Sequence, residues 1–443
     1  MAGLDETAVR PAPGRGLGRI AVLGNMNNLG FSLMRYFRDL GEDAHLLLYA
    51  NDGYGGLSHF VPKADTWHLD RWKPFIHQTG VFNWTQSLVV NPRERTWPCS
   101  KRFIRDQLSG YDTYLGSGAA PAIFHRVGMH LDGFVPYAAG VEFLGAPELL
   151  NAIRRVWINR LSLRRIQRLQ RAGIAATDIV FNAELGPTAD TLASIDVPVA
   201  PLPIPLVYVG EEVSEEWVER RSREIVGDRT ADLRIFCSSR IIFVNKAKMS
   251  PDLWVNENKN GDYVFRALKL VVERLPGVDV KLFLPEYGQD VPEAKALCEQ
   301  LGISANVIWL PMLARRDLRC LMRWCHAAVG QFLHTDGIIW GGTGWEALAE
   351  GVPFIQRINF RAGEYEASFG HPLPPIMHAD NPEEIAEALL LLRERPDRRR
   401  EIAAAAREWF RAYNGHALAR QWIAALRSSK AEPRVAGHHP APS

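Results

Sequence analysis

The residues best equipped for chemistry in this sequence are Gly341, Gly342, Thr343 and Gly344, followed two positions later by Glu346. The apolar run Ala327–Leu333 ahead of them reads as a buried parallel strand, and Pro353–Ile355 beyond them as a second short strand. A glycine-rich turn therefore leaves a strand end and feeds a short helix. Amides exposed at such a helix start attract phosphate oxygens, and glycine lets a ligand approach the backbone closely. A carboxylate in the first helical turn can accept hydrogen bonds from two adjacent sugar hydroxyls. The combination suits a sugar nucleotide, although glycine-rich turns also serve as plain connections in α/β proteins.

A second feature stands upstream. Leu233–Ser239 reads as a buried strand ending in Ser-Ser, with Arg240 next, and Lys259 stands just before a helix expected over Tyr263–Arg274. Cations at the carboxyl edge of a parallel sheet face whatever binds in the crevice there. A guanidinium forks two phosphate oxygens and an ammonium adds a compact point charge, so the pair suits a diphosphate. Solvated surface cations are the alternative for either residue taken alone. In the first half of the chain, the turn Gly24–Gly30 joins a strand over Arg19–Leu23 to a helix whose apolar residues Leu29, Leu33, Tyr36, Phe37 and Leu40 recur at helical spacing. Within it Asn28 offers a side-chain amide and Gly30 room for close approach, so both are candidate ligand contacts; turn residues chosen for backbone tolerance are the competing reading.

In their order along the chain these segments resemble the carboxyl-terminal half of the group 1 glycosyltransferases, a large retaining family with the GT-B fold. The resemblance covers residues 230–360 well and the first half only loosely. Arg240 and Lys259 stand where the family's diphosphate-binding pair stands. The run Asn306–Met312 looks like its base-contacting strand end, which makes Met312 a substrate contact. The run Glu346–Pro353 looks like its Glu-Ala-x-Ala-x-Gly-x-Pro signature, with Glu346 as the ribose-holding glutamate. Ile338 occupies the position where many members carry a first, sugar-contacting glutamate, so Asp336 or His334 is the nearby substitute. A subgroup with a Gln-Phe start, like Gln331-Phe332 here, also lacks that acid. In the first half, Ala139 stands where the family has a histidine, so no catalytic histidine carries over.

The resemblance implies two Rossmann-like domains whose parallel sheets face a central cleft. The sequence places a disordered leader over 1–18, an acceptor domain over 19–205 and a nucleotide-sugar-binding domain over 206–413. The proline-rich stretch Pro198–Pro205 is the stiff linker between them. A helix over 414–427 packs back on the first domain, and 428–443 reads as a disordered tail. A chain of 443 residues is long enough for two such domains. Its net charge of +2 argues against nucleic acid as an obligatory partner. The five cysteines show no metal-ligand pattern, since Cys320, Cys325 and His326 lie among packing residues, and they suit the reducing cytosol.

The implied reaction moves a sugar from a nucleoside diphosphate sugar to an acceptor hydroxyl of a glycan or lipid-linked glycan, with no cofactor and no metal. Residues 151–172 carry seven arginines and no acid. That pattern suits a helix lying on an anionic membrane, which gives an expected location in the cytoplasm at the inner face; a packed helix with a solvated basic face is the alternative. Two other readings of the whole chain stay open: a sugar-nucleotide 2-epimerase, and a non-catalytic binding protein of the same fold.

Overall fold

The computed structural model describes residues 16–50, 60–83, 100–136, 160–183, 187–210, 212–249, 251–334 and 340–431. They form two lobes, each built on one parallel sheet. The first sheet contains β1 (Arg19–Leu23), β2 (Asp43–Leu48), β3 (Ile76–Gln78), β4 (Thr113–Ser117), β5 (Gly133–Val135), β6 (Ile179–Phe181) and β7 (Val199–Ala200), in the order β3-β2-β1-β4-β5-β6-β7. The second contains β8 (Leu233–Phe236), β9 (Val280–Pro285), β10 (Val307–Leu310), β11 (Ala327–Val329), β12 (Phe354–Gln356) and β13 (Met377–His378), in the order β10-β9-β8-β11-β12-β13. Strands such as Ile20–Leu23 and Leu282–Pro285 are buried on both faces, which is why they read as continuous apolar runs.

The strand order reverses direction between β1 and β4 in one sheet and between β8 and β11 in the other. Loops leaving the two strands of such a switch point diverge, and the crevice between them is where α/β sheets bind ligands. The helices that matter for the two crevices are α1 (Leu29–Asp39), α2 (Ala120–Val127), α3 (Arg160–Ala175), α4 (Glu215–Val226), α5 (Tyr263–Arg274), α6 (Arg315–Trp324), α7 (Gly342–Glu350), α8 (Pro396–Tyr413) and α9 (Gly415–Ala431).

The linker does not hang free. Tyr36 of α1 donates its hydroxyl hydrogen to the Val207 carbonyl at 2.7 Å and accepts from the Val209 amide at 2.9 Å. The chain thus stays stitched to the first lobe as far as Val209, four residues past the boundary the prolines suggest. At the far end α9 packs beside α1 in the first lobe's core. Trp422 stacks on Phe181 with centroids 3.9 Å apart, and its indole nitrogen donates to the Pro203 carbonyl. The helix runs on to Ala431, so the segment expected to be tail begins as helix. Residues 1–15 and 432–443 of the expected leader and tail lie outside the described residues, while Leu17 of that leader is buried in the first core.

Candidate functional site at the switch point of the second sheet

Arg240 follows β8 and Lys259 precedes α5, and both line one small cavity together with Gly330 and Phe332 beyond β11. Local backbone geometry fixes the lysine. Asn260 sits in the left-handed region (φ 46°), and its side-chain amide donates to the Phe332 carbonyl at 2.7 Å while the Phe332 amide donates to the Lys259 carbonyl at 3.1 Å. Lys259 is thereby clamped against the continuation of β11, and its ammonium donates to the Gln331 side-chain carbonyl. Burial, and then the charge of Arg240, push the Lys259 ammonium down to about 8. A lysine held so close to losing its proton gains most from an anionic ligand, which would restore its charge.

The glycine turn meets this pair from the other side. Helix α7 starts at Gly342 with no side chain capping its first amides, so these point donors and the positive end of the helix dipole at the crevice. Thr343 and Ser238 share a hydroxyl hydrogen bond of 3.1 Å, which ties the turn to the end of β8. Gly341 lies against Gln331, and an added Cβ there would sit 3.4 Å from its amide nitrogen. Gly344 packs on Trp340, where a Cβ would come within 2.6 Å of the indole. Arg240 and Lys259 therefore share one cavity, and the turn is tied beside it by Thr343 on Ser238 and Gly341 on Gln331, while Gly342 lies nearest Arg315 and Gly344 packs away on Trp340.

Glu346 lies one turn deeper and is 6% exposed. Its carboxylate is paired with Arg315 at the start of α6. The same guanidinium donates to the Asn27 carbonyl at 3.0 Å, so one side chain joins the carboxylate of the second lobe to the loop of the first. Lys63 is half-buried beside this junction; burial, then the Arg315 charge, lower its ammonium pKa. Neither Arg315 nor Lys63 stood out in the sequence. The available signal was Arg315-Arg316 at a helix start, where the dipole disfavours cations and a local reading finds no reason for them.

The first-lobe candidates have other duties. The Asn28 amide donates to the Lys63 carbonyl at 3.0 Å and to Asp65 at 3.1 Å, and its carbonyl oxygen accepts from the Lys63 amide at 2.8 Å. It is 0% exposed, so it shapes the loop from inside. Gly30 is buried too; a Cβ there would stand 2.1 Å from the Gly24 carbonyl oxygen, so glycine is required by the turn over it. Met312 is 63% exposed just past the carboxyl end of β10, on the same edge of the sheet as the crevice. Asp336 and Ile338 lie outside the described residues; His334 is exposed, with a ring nitrogen 2.7 Å from Arg357. Residues 137–159 are also outside them, so the strand-end comparison at Ala139 rests on sequence alone. His326 accepts a hydrogen bond from the Arg234 amide at 3.0 Å, and burial pushes its pKa down to about 3. Cys320 and Cys325 beside it are buried.

Below the crevice a buried ion pair inside the first lobe backs the contact between the lobes. Arg35 of α1 holds both carboxylate oxygens of Asp65, at 2.8 and 2.7 Å. Burial alone would raise the Asp65 pKa, but the Arg35 charge and hydrogen bonds outweigh it and hold the carboxyl below the usual range. Arg319 of α6 then reaches across to the carbonyls of Asp65 and Tyr208, at 3.1 and 3.0 Å.

No protein-family model matches this chain, and no curated protein matches it in sequence. Solved structures do match in shape. Anabaena Alr3699/HepE in complex with UDP and glucose covers 93% of this chain and 100% of its own, at 14% identity and a TM-score of 0.57. WaaG, a glycosyltransferase involved in lipopolysaccharide biosynthesis, covers 92% and 99%, at 15% identity and a TM-score of 0.53. A Listeria monocytogenes protein assigned as a UDP-N-acetylglucosamine 2-epimerase covers 93% and 96%, at 15% identity and a TM-score of 0.50. Identity this low establishes architecture alone. The chain has the GT-B fold, two parallel-sheet α/β lobes facing one another across a cleft.

Proposed function

We propose that the chain is a glycosyltransferase that takes a sugar from a nucleoside diphosphate sugar and passes it to an acceptor hydroxyl. The observation that carries this reading is the convergence of Arg240, Lys259 and the uncapped start of α7 at the switch point of the second sheet. The donor lies against the second lobe with its diphosphate among these groups, and the acceptor enters from the first. As the bond from the anomeric carbon to the β-phosphate oxygen breaks, its electron pair leaves with the diphosphate. The two cations and the helix amides stabilise that charge, and the acceptor oxygen bonds to the anomeric carbon. The acceptor proton passes to the departing phosphate, and the resemblance to group 1 enzymes implies retention of configuration. Glu346 holds the ribose once Arg315 turns from it toward the phosphates. Fixed cations supply the charge that a divalent metal supplies elsewhere, so transfer should persist in EDTA.

HepE was solved with UDP and glucose, which supports screening UDP first. Arg240→Ala and Lys259→Ala should each lower transfer roughly 100- to 1,000-fold, the usual effect of losing one preorganised donor to developing negative charge. Activity within a few-fold of wild type in both variants rejects the assignment. The Listeria likeness favours a second reading, the 2-epimerase, because the same grip serves both reactions. Release of free UDP that depends on added acceptor supports transfer, and conversion of the donor sugar without acceptor supports epimerisation.

The acceptor class we propose is a glycan or lipid-linked glycan, in cell-surface or lipopolysaccharide synthesis. Helix α3 packs on α2 and leaves Arg164, Arg165 and Arg168 exposed, which supports docking of this face on an anionic membrane. No helix among the described residues is long and apolar enough to cross a membrane. Vesicles with anionic lipid should co-sediment the chain, and vesicles of neutral lipid should not. Equal partitioning to both removes the membrane contact.

A further inference from the structure

A second cavity, of about 300 Å³, lies on the linker side of the lobe interface, one helical turn below the crevice. Helices α6 and α7 run from one to the other. On the crevice side Arg315 pairs with Glu346, and one turn along both helices Arg319 pairs with Glu350 on the cavity side. The wall includes Asp65, Thr66 and Trp67 of the first lobe, the linker from Tyr208, and residues of α6, α7 and α8.

Its charge is unbalanced. Five arginines line it (Arg316, Arg319, Arg323, Arg407 and Arg411) against three acids, Asp65, Glu212 and Glu350. Counting the partners just behind the wall, Arg35 for Asp65 and Glu215 for Arg323, the excess stays at two positive charges. The surplus sits on particular side chains. Arg316 stacks its guanidinium 4.5 Å from the Trp67 ring centroid, and its buried Nε has no acceptor. Arg411 makes no ion pair among the described residues and is exposed at the rim. Among the described residues Arg407 is held only by the Glu350 carbonyl at 3.1 Å and by Glu215 at 4.0 Å. Leaving the buried Arg316 donor unsatisfied is costly unless a ligand answers it.

We propose that this cavity is an anion-binding site, separate from the crevice, for a small phosphorylated molecule. A phosphate monoester or a diphosphate carries the two negative charges the wall lacks, and guanidinium forks match its oxygens. The side chain of Val213 in the wall receives the carbon skeleton. Because both lobes and the linker contribute, the occupied site ties the lobes together. It stands whether or not the crevice transfers sugar.

The test uses the full chain and inorganic pyrophosphate, followed by calorimetric titration at constant ionic strength set with sodium chloride. The double variant Arg240→Ala/Lys259→Ala removes the crevice cations. It should still bind pyrophosphate at one site. Adding Arg411→Glu, a rim change that leaves the packing intact, should weaken that binding at least about tenfold, as should Arg316→Ala, in keeping with the loss of a charge-assisted hydrogen bond. Complete loss of binding in Arg240→Ala/Lys259→Ala would show that the crevice alone takes the anion. Unchanged affinity on adding either Arg411→Glu or Arg316→Ala would likewise overturn the site.

Discussion

On the proposed function, raising the pH should loosen the second lobe's grip on a diphosphate as Lys259 gives up its proton. In the free protein this ammonium is pushed down to about 8. The pH dependence of kcat/KM reports ionisations of the free enzyme. For one essential proton with a pKa of about 8, ~90% of the charged form is present at pH 7 and ~10% at pH 9, so kcat/KM falls about tenfold, and ~90-fold by pH 10. Lys259→Arg keeps its charge throughout, so its profile should stay flat over this range even if its absolute rate is lower. The same ionisation bears on stability. The unfolded lysine holds its proton to its ordinary value of 10.5, whereas the folded one releases it near 8. Between these values the unfolded state binds more protons, so stability rises with pH across that window, and below it the full cost of the buried charge is present. That cost is about 3 kcal/mol. Lys259→Met should therefore be more stable than wild type at pH 7 by up to that amount while losing diphosphate binding. The assays are initial rates from pH 7 to 10 and calorimetric unfolding at pH 7. A flat wild-type kcat/KM profile, or a Lys259→Met variant less stable than wild type, refutes the reasoning.

Three further outcomes are expected. Glu346→Gln should weaken UDP roughly tenfold, by the loss of charged hydrogen bonds to ribose, and leave inorganic pyrophosphate unaffected, as read by titration calorimetry. Asp65→Asn leaves the Arg35 guanidinium buried without its carboxylate and should cost about 3 to 5 kcal/mol of stability in denaturant unfolding. Gly30→Ala places a methyl group 2.1 Å from the Gly24 carbonyl oxygen, so the turn must shift and the melting temperature should fall.

Much of the second lobe was legible because its signals are local. The helix expected over Tyr263–Arg274 is found with those ends, and the turn at Gly341–Gly344 does open a helix after a buried strand. Continuous apolar runs marked the strands because both faces of a parallel sheet are covered. The lobe junction was not legible. Arg315 meets Asn27 across 288 positions, and Arg319 meets the Asp65 carbonyl across 254, beside a stretch whose tryptophans and prolines follow no period. Asn28 and Gly30 were singled out as ligand contacts, but burial assigns them to the construction of their loop: the Asn28 amide is consumed by Lys63 and Asp65, and Gly30 sits under a carbonyl. Sequence pattern reports which residues tolerate a turn. It does not report which of them face outward.

The placement of Trp422 against Phe181 has a consequence for synthesis of the chain. The groove that α9 fills is built from first-lobe residues, and its filler is translated only after the whole second lobe. Until then the early half carries an uncovered greasy furrow, a natural landing place for chaperones or for another nascent copy. A stop codon ahead of Gly415 would therefore damage the lobe whose sheet was translated first, and the two halves produced as separate polypeptides should each be poorly soluble unless mixed.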